Sequence, residues 1–330
     1  MAPTNQQAFF TYLKTQLPPH LSLVDEVADL LNISVDSAYR RIRGEKAIDF
    51  DEIQKLASHY KISLDQFLHL SSNAILFSDR SLTANSTFHF DDYLKALIQD
   101  LTYMNSFENK MLYYLNKDVP IFHHFAFPEL AAFKCFFWRK TIVHDPTFAN
   151  QRFLLEEHID VFREASAKIS DLYATIPSLE IWNMESINST IRQIEYYRDT
   201  QAFSRKKDIE TVYEGLLKAI ERIEGFAEVG KKHTTAPSPQ KPGDYQVYIN
   251  EFILGDNTIM VHLDGAKLVY VNHAVHNYML TKDERFCEFT HDHFLNIIKR
   301  STPISVANEK ERTKFFFRNK EKVLSRLASL

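Results

Sequence analysis

A chain of 330 residues is long for one domain and suggests two or three. Its 45% hydrophobic and 25% charged content is ordinary for a globular protein, and only seven glycines argue against a long parallel-sheet enzyme with glycine-rich phosphate loops. A formal net charge of −4 excludes wholesale basicity, so any nucleic-acid role must rest on a local patch.

The first residues do not follow the basic-then-apolar plan of a secretory leader, and no apolar run approaches the ~20 residues that span a bilayer. Cys135 and Cys287 stand far apart and read as reduced thiols. A cytoplasmic protein is the expectation.

Residues 1–70 show short helical patterns broken by turn signals, and residues 21–68 carry the most information. Val24, Val27, Ala28 and Leu31 share one helical face, and Asn32-Ile33-Ser34 breaks that helix. Ser34 is suited to cap a second helix, on which Val35, Ala38 and Ile42 point one way with Tyr39 beside them. Asp36, Ser37, Arg40, Arg41 and Arg43 are then left for solvent, and Gly44 follows as a C′ residue would. Asp49-Phe50-Asp51-Glu52 opens a third helix with Ile53, Leu56 and Ala57 inward. Lys61-Ile62-Ser63 makes another turn before Leu64, Phe67 and Leu68. Two helices joined by a short turn are what a DNA-binding helix-turn-helix requires, with the N-terminal residues of the second on base edges. Arg40, Arg41, Arg43 and Lys46 face Glu45 alone in their neighbourhood, and arginine can contact phosphate or reach bidentately to guanine.

This segment resembles the XRE type of helix-turn-helix, shared with phage Cro-like repressors. The likeness lies in VADLLNIS, SVDSAYRRIRGEK and IQKLASHYKISLDQFL, within residues 21–68. It implies a bacterial transcription regulator that binds double-stranded DNA. Ser34, Asp36, Ser37, Arg40 and Arg41 fall on the family's recognition-helix positions. With Arg43 and Lys46 they are the candidate DNA-binding residues. One feature departs from the family pattern: residues 1–70 hold seven basic side chains against nine acidic ones. A protein-interaction module in phage-related control or defence is the alternative. His59, Lys61 and Asp65 are one residue short of a phospholipase-D-like signature, but they lie inside the helix-turn-helix and have no second copy.

Residues 71–90 are rich in Ser, Asn and Thr and read as a linker. Residues 91–230 read as a long helical region for dimerisation or sensing. Its apolar periods are Leu94, Leu97, Leu101 and Met104; Leu155, Ile159, Phe162, Ile169 and Leu172; and Ile209, Val212, Leu216, Ile220 and Ile223. Residues 231–243 contain three prolines and read as an exposed connection. Residues 244–330 read as an α+β domain that could bind a ligand or partner. YQVYINEFIL, TIMVHLDG and AKLVYVN suggest three consecutive antiparallel strands, with turns at Gly255-Asp256-Asn257 and Asp264-Gly265, before helices around 289–300 and 308–328.

The fold class expected is mainly α: an N-terminal helix-turn-helix bundle, a helical middle and a small C-terminal α+β domain with a short antiparallel sheet. Cys287, Glu288, His291 and His293 cluster as zinc ligands can, but the run leads into an apolar helix and no metal is expected. Cys135 and the pair His123-His124 lie in apolar surroundings and read as core. The basic series Lys310, Arg312, Lys314, Arg318, Lys320 and Lys322 reads as the solvated face of an amphipathic helix. No GxSxG, Walker A, HExxH or paired CxxC occurs, so neither an enzyme nor a cofactor is expected. The function expected is a sequence-specific regulator that works as a homodimer. An unidentified small-molecule or protein effector acts on its C-terminal region, and no membrane partner is expected.

Overall fold

The computed structural model describes residues 3–17, 21–60, 62–68, 74–78, 90–234, 241–252, 255–274 and 277–330. Lys61 and most of the 71–90 linker lie outside the described residues. The chain forms two compact units, Met1–Leu76 and Phe77–Leu330.

The first unit is helical: α1 (Asn5–Gln16), α2 (Leu23–Leu31), α3 (Val35–Ile42), α4 (Phe50–His59) and α5 (Leu64–Phe67). Its core joins Phe9, Phe10 and Leu13 of α1 to Val27, Ala28 and Leu31 of α2, Ala38 of α3 and Leu56 of α4. Burying each of these large side chains is worth about 1.5–3 kcal/mol.

The second unit begins with α6 (Phe90–Asn105), β1 (Lys110–Leu115), α7 (Ile121–His124), α8 (Pro128–Phe137), α9 (Leu155–Ala174) and β2 (Ser178–Trp182). It continues through α10 (Asn188–Asp199), α11 (Lys206–Val229), β3 (Tyr245–Ile249), β4 (Thr258–Leu263), β5 (Ala266–Ala274) and β6 (Asn277–Thr281). It ends with α12 (Glu284–Ile298), β7 (Thr302–Pro303) and α13 (Glu309–Ala328).

These strands correct the expected fold class. They form one seven-stranded mixed sheet in the order β6-β5-β4-β1-β2-β3-β7, not a short antiparallel one. β1 pairs β2 in parallel, as β2 does β3. The region read as purely helical thus supplies β1 and β2, at the heart of the sheet. β3 and β4 are not neighbours, so the expected run of three antiparallel strands is broken at its first step. β4 and β5 do form the expected hairpin, and both turn residues, Asp264 and Gly265, take positive φ.

The sheet is covered on both faces. On one face Leu112, Tyr114, Val247 and Val261 pack into the large core built by the helices α6, α8, α9, α11 and α13. On the other, Leu115, Leu179, Ile181 and Met260 pack against Cys287, Phe294 and Ile297 of α12. Parallel strands buried on both faces lose polar alternation, and all five residues of β2 are buried.

Glu180 is the polar centre of the helix-rich face. Its carboxylate accepts from His123 Nε2 and Trp182 Nε1 at 2.8 Å, from Tyr245 Oη at 2.7 Å and from Tyr173 Oη. One side chain of β2 thereby ties α7, α9 and β3 together. Burial alone would raise the Glu180 carboxyl; His123, Tyr173 and Tyr245 outweigh it and hold it at about 2. Burial lowers the His123 pKa against the pull of Glu180, so the ring is neutral and donates from Nε2. Nδ1, which has no partner among the described residues, is then an unprotonated nitrogen rather than a stranded N–H.

Candidate nucleic-acid interface

Four capping arrangements set the bounds of α2, α3 and α4. α2 stops at Asn32, which sits at φ 55° while Ile33 N–H reaches back to Ala28 O. Two residues on, the Ser34 hydroxyl accepts Ser37 N–H at 3.2 Å and starts α3. α3 ends in a Schellman turn: Gly44 N–H bonds Arg41 O, Glu45 N–H bonds Arg40 O, and Gly44 takes φ 76°. Asp49 and Glu52 then form a capping box at the start of α4.

α1 fixes the loop after α3. Gln6 Nε2 donates to Arg41 O at 2.7 Å and to Lys46 O at 2.8 Å, and its Oε1 accepts from Ile48 N–H. Gln7 Nε2 donates to Arg43 O at 2.8 Å. The backbone that carries Arg43 and Lys46 is therefore held from outside the two-helix motif. Sequence reading missed this brace, because glutamine carries no periodic signal.

The seven predicted DNA-binding residues divide into two groups. Asp36, Arg40, Arg43 and Lys46 are exposed, although Arg43 lies 3.4 Å from Glu45 and 5.6 Å from the Tyr39 ring centroid. Ser34, also exposed, serves as the cap, whereas Ser37 is half-buried and its hydroxyl accepts from Arg41 Nη1 at 2.6 Å. Arg41 corrects the expectation of a solvent-facing cation, being only 5% exposed. It grips Glu52 in two places, Nε to Oε2 at 2.8 Å and Nη2 to Oε1 at 2.6 Å. The paired hydrogen bonds raise the arginine pKa and lower that of the carboxylate, so both stay ionised. Ala38 and Arg41 stand three positions apart on α3 and share a face, which puts the guanidinium on the side facing α4.

Val35 is the second correction. Its apolar spacing puts it inward with Ala38, yet it is 55% exposed, and Tyr39 is 49% exposed. Val35, Tyr39 and Arg43 follow one another at four-residue spacing, with Asp36 and Arg40 alongside. The outward face of α3 is thus a mixed ridge of one aliphatic, one aromatic and several charged side chains. A valine at the start of a recognition helix suits a thymine methyl, and arginine suits guanine or phosphate.

The remaining sequence candidates lie in the second unit. Cys287, Glu288, His291 and His293 all fall on α12 rather than in an extended segment, and residues two apart on a helix do not face each other. The Cys287 thiol donates towards Lys267 O, and burial pushes its pKa up to about 11. Cys135, His123 and His124 are buried. The basic series on α13 divides evenly: Lys310, Lys314 and Arg318 are exposed, whereas Lys320 pairs with Glu224 at 2.7 Å, Lys322 donates to Asn188, and Arg312 is buried on Ile304 O and Ala307 O.

A family model described as the BetR domain, a helix-turn-helix-like DNA-binding family, matches residues 18–80. The match agrees with the class of site that α2 and α3 define, without singling out the XRE type. It points to a DNA-binding regulatory role for the N-terminal unit. No curated protein and no solved structure matches the chain. Among the described residues, no helix is long and apolar enough to cross a membrane.

Proposed function

We propose that the protein is a sequence-specific transcription regulator that reads the major groove with α3, in the manner of XRE-type repressors, in the cytoplasm. The outward ridge of Val35, Asp36, Tyr39, Arg40 and Arg43 carries this reading. Its opposite side is locked by Ala38 in the core and by the Arg41–Glu52 pair. A rigid helix with exposed hydrogen-bonding and methyl groups is what base readout needs. Ser34 and Asp36, at the N-terminus of α3, stand where the first base contacts fall. Arg40, Arg43 and Lys46 supply phosphate contacts. Ser37 and Arg41 shape the helix rather than touch DNA.

Two protomers with recognition helices about one DNA turn apart, ~34 Å, would read a two-fold operator. The second unit supplies the dimer contacts and receives an effector. Glu180, His123, Tyr173 and Tyr245 are each at most 1% exposed and shut away from any reagent, so that cluster serves to hold the unit together.

Selection of bound fragments from random DNA by the full chain tests the proposal. A two-fold motif whose binding weakens with salt and with Arg40→Ala is the expected result. The exposure of Val35, Tyr39 and Phe50 also suits protein docking. Folded protein that enriches no DNA would select that second reading.

A further inference from the structure

Within the second unit a cavity of about 140 Å³ lies between α6 and the helix-rich face of the sheet. Leu97, Leu101 and Met104 of α6 face Phe122, Ile259 and Tyr278 across it. The space is partly open and its wall is mostly apolar, so it can take an apolar ring out of water. An apolar cavity of about 150 Å³ stays dry and takes up one benzene ring. The volume therefore sets the ligand at a single six-membered ring with few substituents.

The polar groups of the wall refine that choice. Among the described residues no lysine or arginine lines the cavity, and its wall is mostly apolar, so a carboxylate or phosphate ligand would lose its hydration there without a described cation to pair with. Tyr278 Oη lies 2.9 Å from Oη of the buried Tyr114. Burial keeps both phenols protonated. Two hydroxyls joined by one hydrogen bond retain a second proton and spare lone pairs, and Tyr278 presents this capacity at the cavity wall.

We propose that this cavity is the effector site and that it binds a small uncharged monocyclic phenol, ring against the α6 leucines and hydroxyl on the Tyr114–Tyr278 pair. The effector role rests on the regulator reading above; binding itself does not. Leu280, also in the wall, exchanges backbone hydrogen bonds of 2.7 and 2.9 Å with Ser78. Ser78 lines the cavity as well, and the chain reaches it immediately after the N-terminal unit ends at Leu76. Occupancy therefore bears on the segment through which the sensing unit is joined to the helix-turn-helix.

Titration calorimetry of the full chain with 4-methylphenol, toluene and benzoate tests the site without DNA. Saturable binding of 4-methylphenol and toluene, with none of benzoate, is expected. Ala96→Phe, which places a ring in the cavity from α6, should weaken both neutral ligands at least tenfold. Tyr278→Phe, an isosteric change that keeps the fold, should weaken 4-methylphenol several-fold and leave toluene unchanged. Absence of 4-methylphenol binding to the native chain overturns the site. So does equal binding by native, Ala96→Phe and Tyr278→Phe proteins. Operator affinity measured with and without 4-methylphenol tests the effector role: a change supports it, and identical affinity at saturation overturns it. A chain that selects no operator defeats the regulator reading and leaves the calorimetric result standing.

Discussion

Arg41 and Glu52 clasp each other through two hydrogen bonds, 2.8 and 2.6 Å long, between α3 and the first turn of α4. The same carboxylate accepts Asp49 N–H at 3.2 Å and so completes the α4 capping box. Removing the guanidinium strands a largely buried acid and weakens a helix start at once. Arg41→Ala should cost the N-terminal unit about 2 kcal/mol, the scale of a charge-assisted hydrogen-bond pair. Arg40→Ala, on an exposed position, should leave stability within about 0.5 kcal/mol of native. Hydrogen exchange of the α3 amides separates the two. Equal protection in native and Arg41→Ala proteins would show that the pair holds nothing.

Gly44 offers a second test of how the helix is held. Its φ of 76° suits glycine, and a Cβ there would come 3.3 Å from Gln7 Cγ. Gly44→Ala should destabilise the unit by about 1 kcal/mol from the left-handed backbone alone, with more from displacing Gln7. The displacement would loosen the loop bearing Lys46, so operator affinity should fall along with stability. A variant with native affinity and native exchange would contradict the bracing role given to α1.

The helix-turn-helix was legible because its signals are local. Ser34, Gly44 and Asp49 are cap residues at the right spacing, and Ala28, Leu31, Ala38 and Leu56 follow the helical period. What was not legible depended on partners far along the chain. Arg41 looked like its neighbours Arg40 and Arg43 until Glu52, eleven residues on, turned it inward. Val35 reads as a core residue because it is apolar, but its side of α3 faces solvent. The sheet was hidden for a related reason. KMLYYL and SLEIW are short apolar runs, and a strand buried on both faces has no alternation to distinguish it from a helix segment. β1 and β2 acquire meaning only from β3 and β4, some 65 to 150 residues downstream.

Electrostatics limits how tightly the proposed interface can hold DNA. Arg40, Arg43 and Lys46 are the outward cations at and after α3, and Arg41 is already neutralised by Glu52. Each phosphate neutralised contributes about −0.9 to the slope of log affinity against log salt. Lys46→Ala should therefore make that slope shallower by about 1 and weaken all sequences alike. Val35→Ser should behave differently, costing about 1–3 kcal/mol on the preferred operator and almost nothing on random DNA. Binding assays on both DNAs over a salt series distinguish them. A uniform loss for Val35→Ser would remove it from base readout.

The buried histidines make the second unit acid-sensitive, and the sign follows from burial. Burial lowers the pKa values of His123 and His124 below the usual 6.5, and His262 falls to about 4 for the same reason, helped by His291. Below pH 6.5 the unfolded chain takes up protons that the folded chain refuses, so stability falls as the pH drops from 6.5 towards 4. Above 6.5 these imidazoles are neutral in both states and the effect vanishes. Glu180 adds a second, lower window: its folded pKa of about 2 lies under the usual 4.5, so its contribution is whole above 4.5 and lost as the pH falls towards 2. Both tryptophans, Trp138 and Trp182, belong to the second unit, so their fluorescence follows its unfolding alone. Denaturant midpoints read this way should decline between pH 6.5 and 4 and then more steeply. His124→Asn removes one such proton and should flatten the first decline by up to about 1.4 kcal/mol per pH unit. A native midpoint that stays level across that range would mean that the buried imidazoles accept protons without loss, and that the cluster around Glu180 is more open than its geometry indicates.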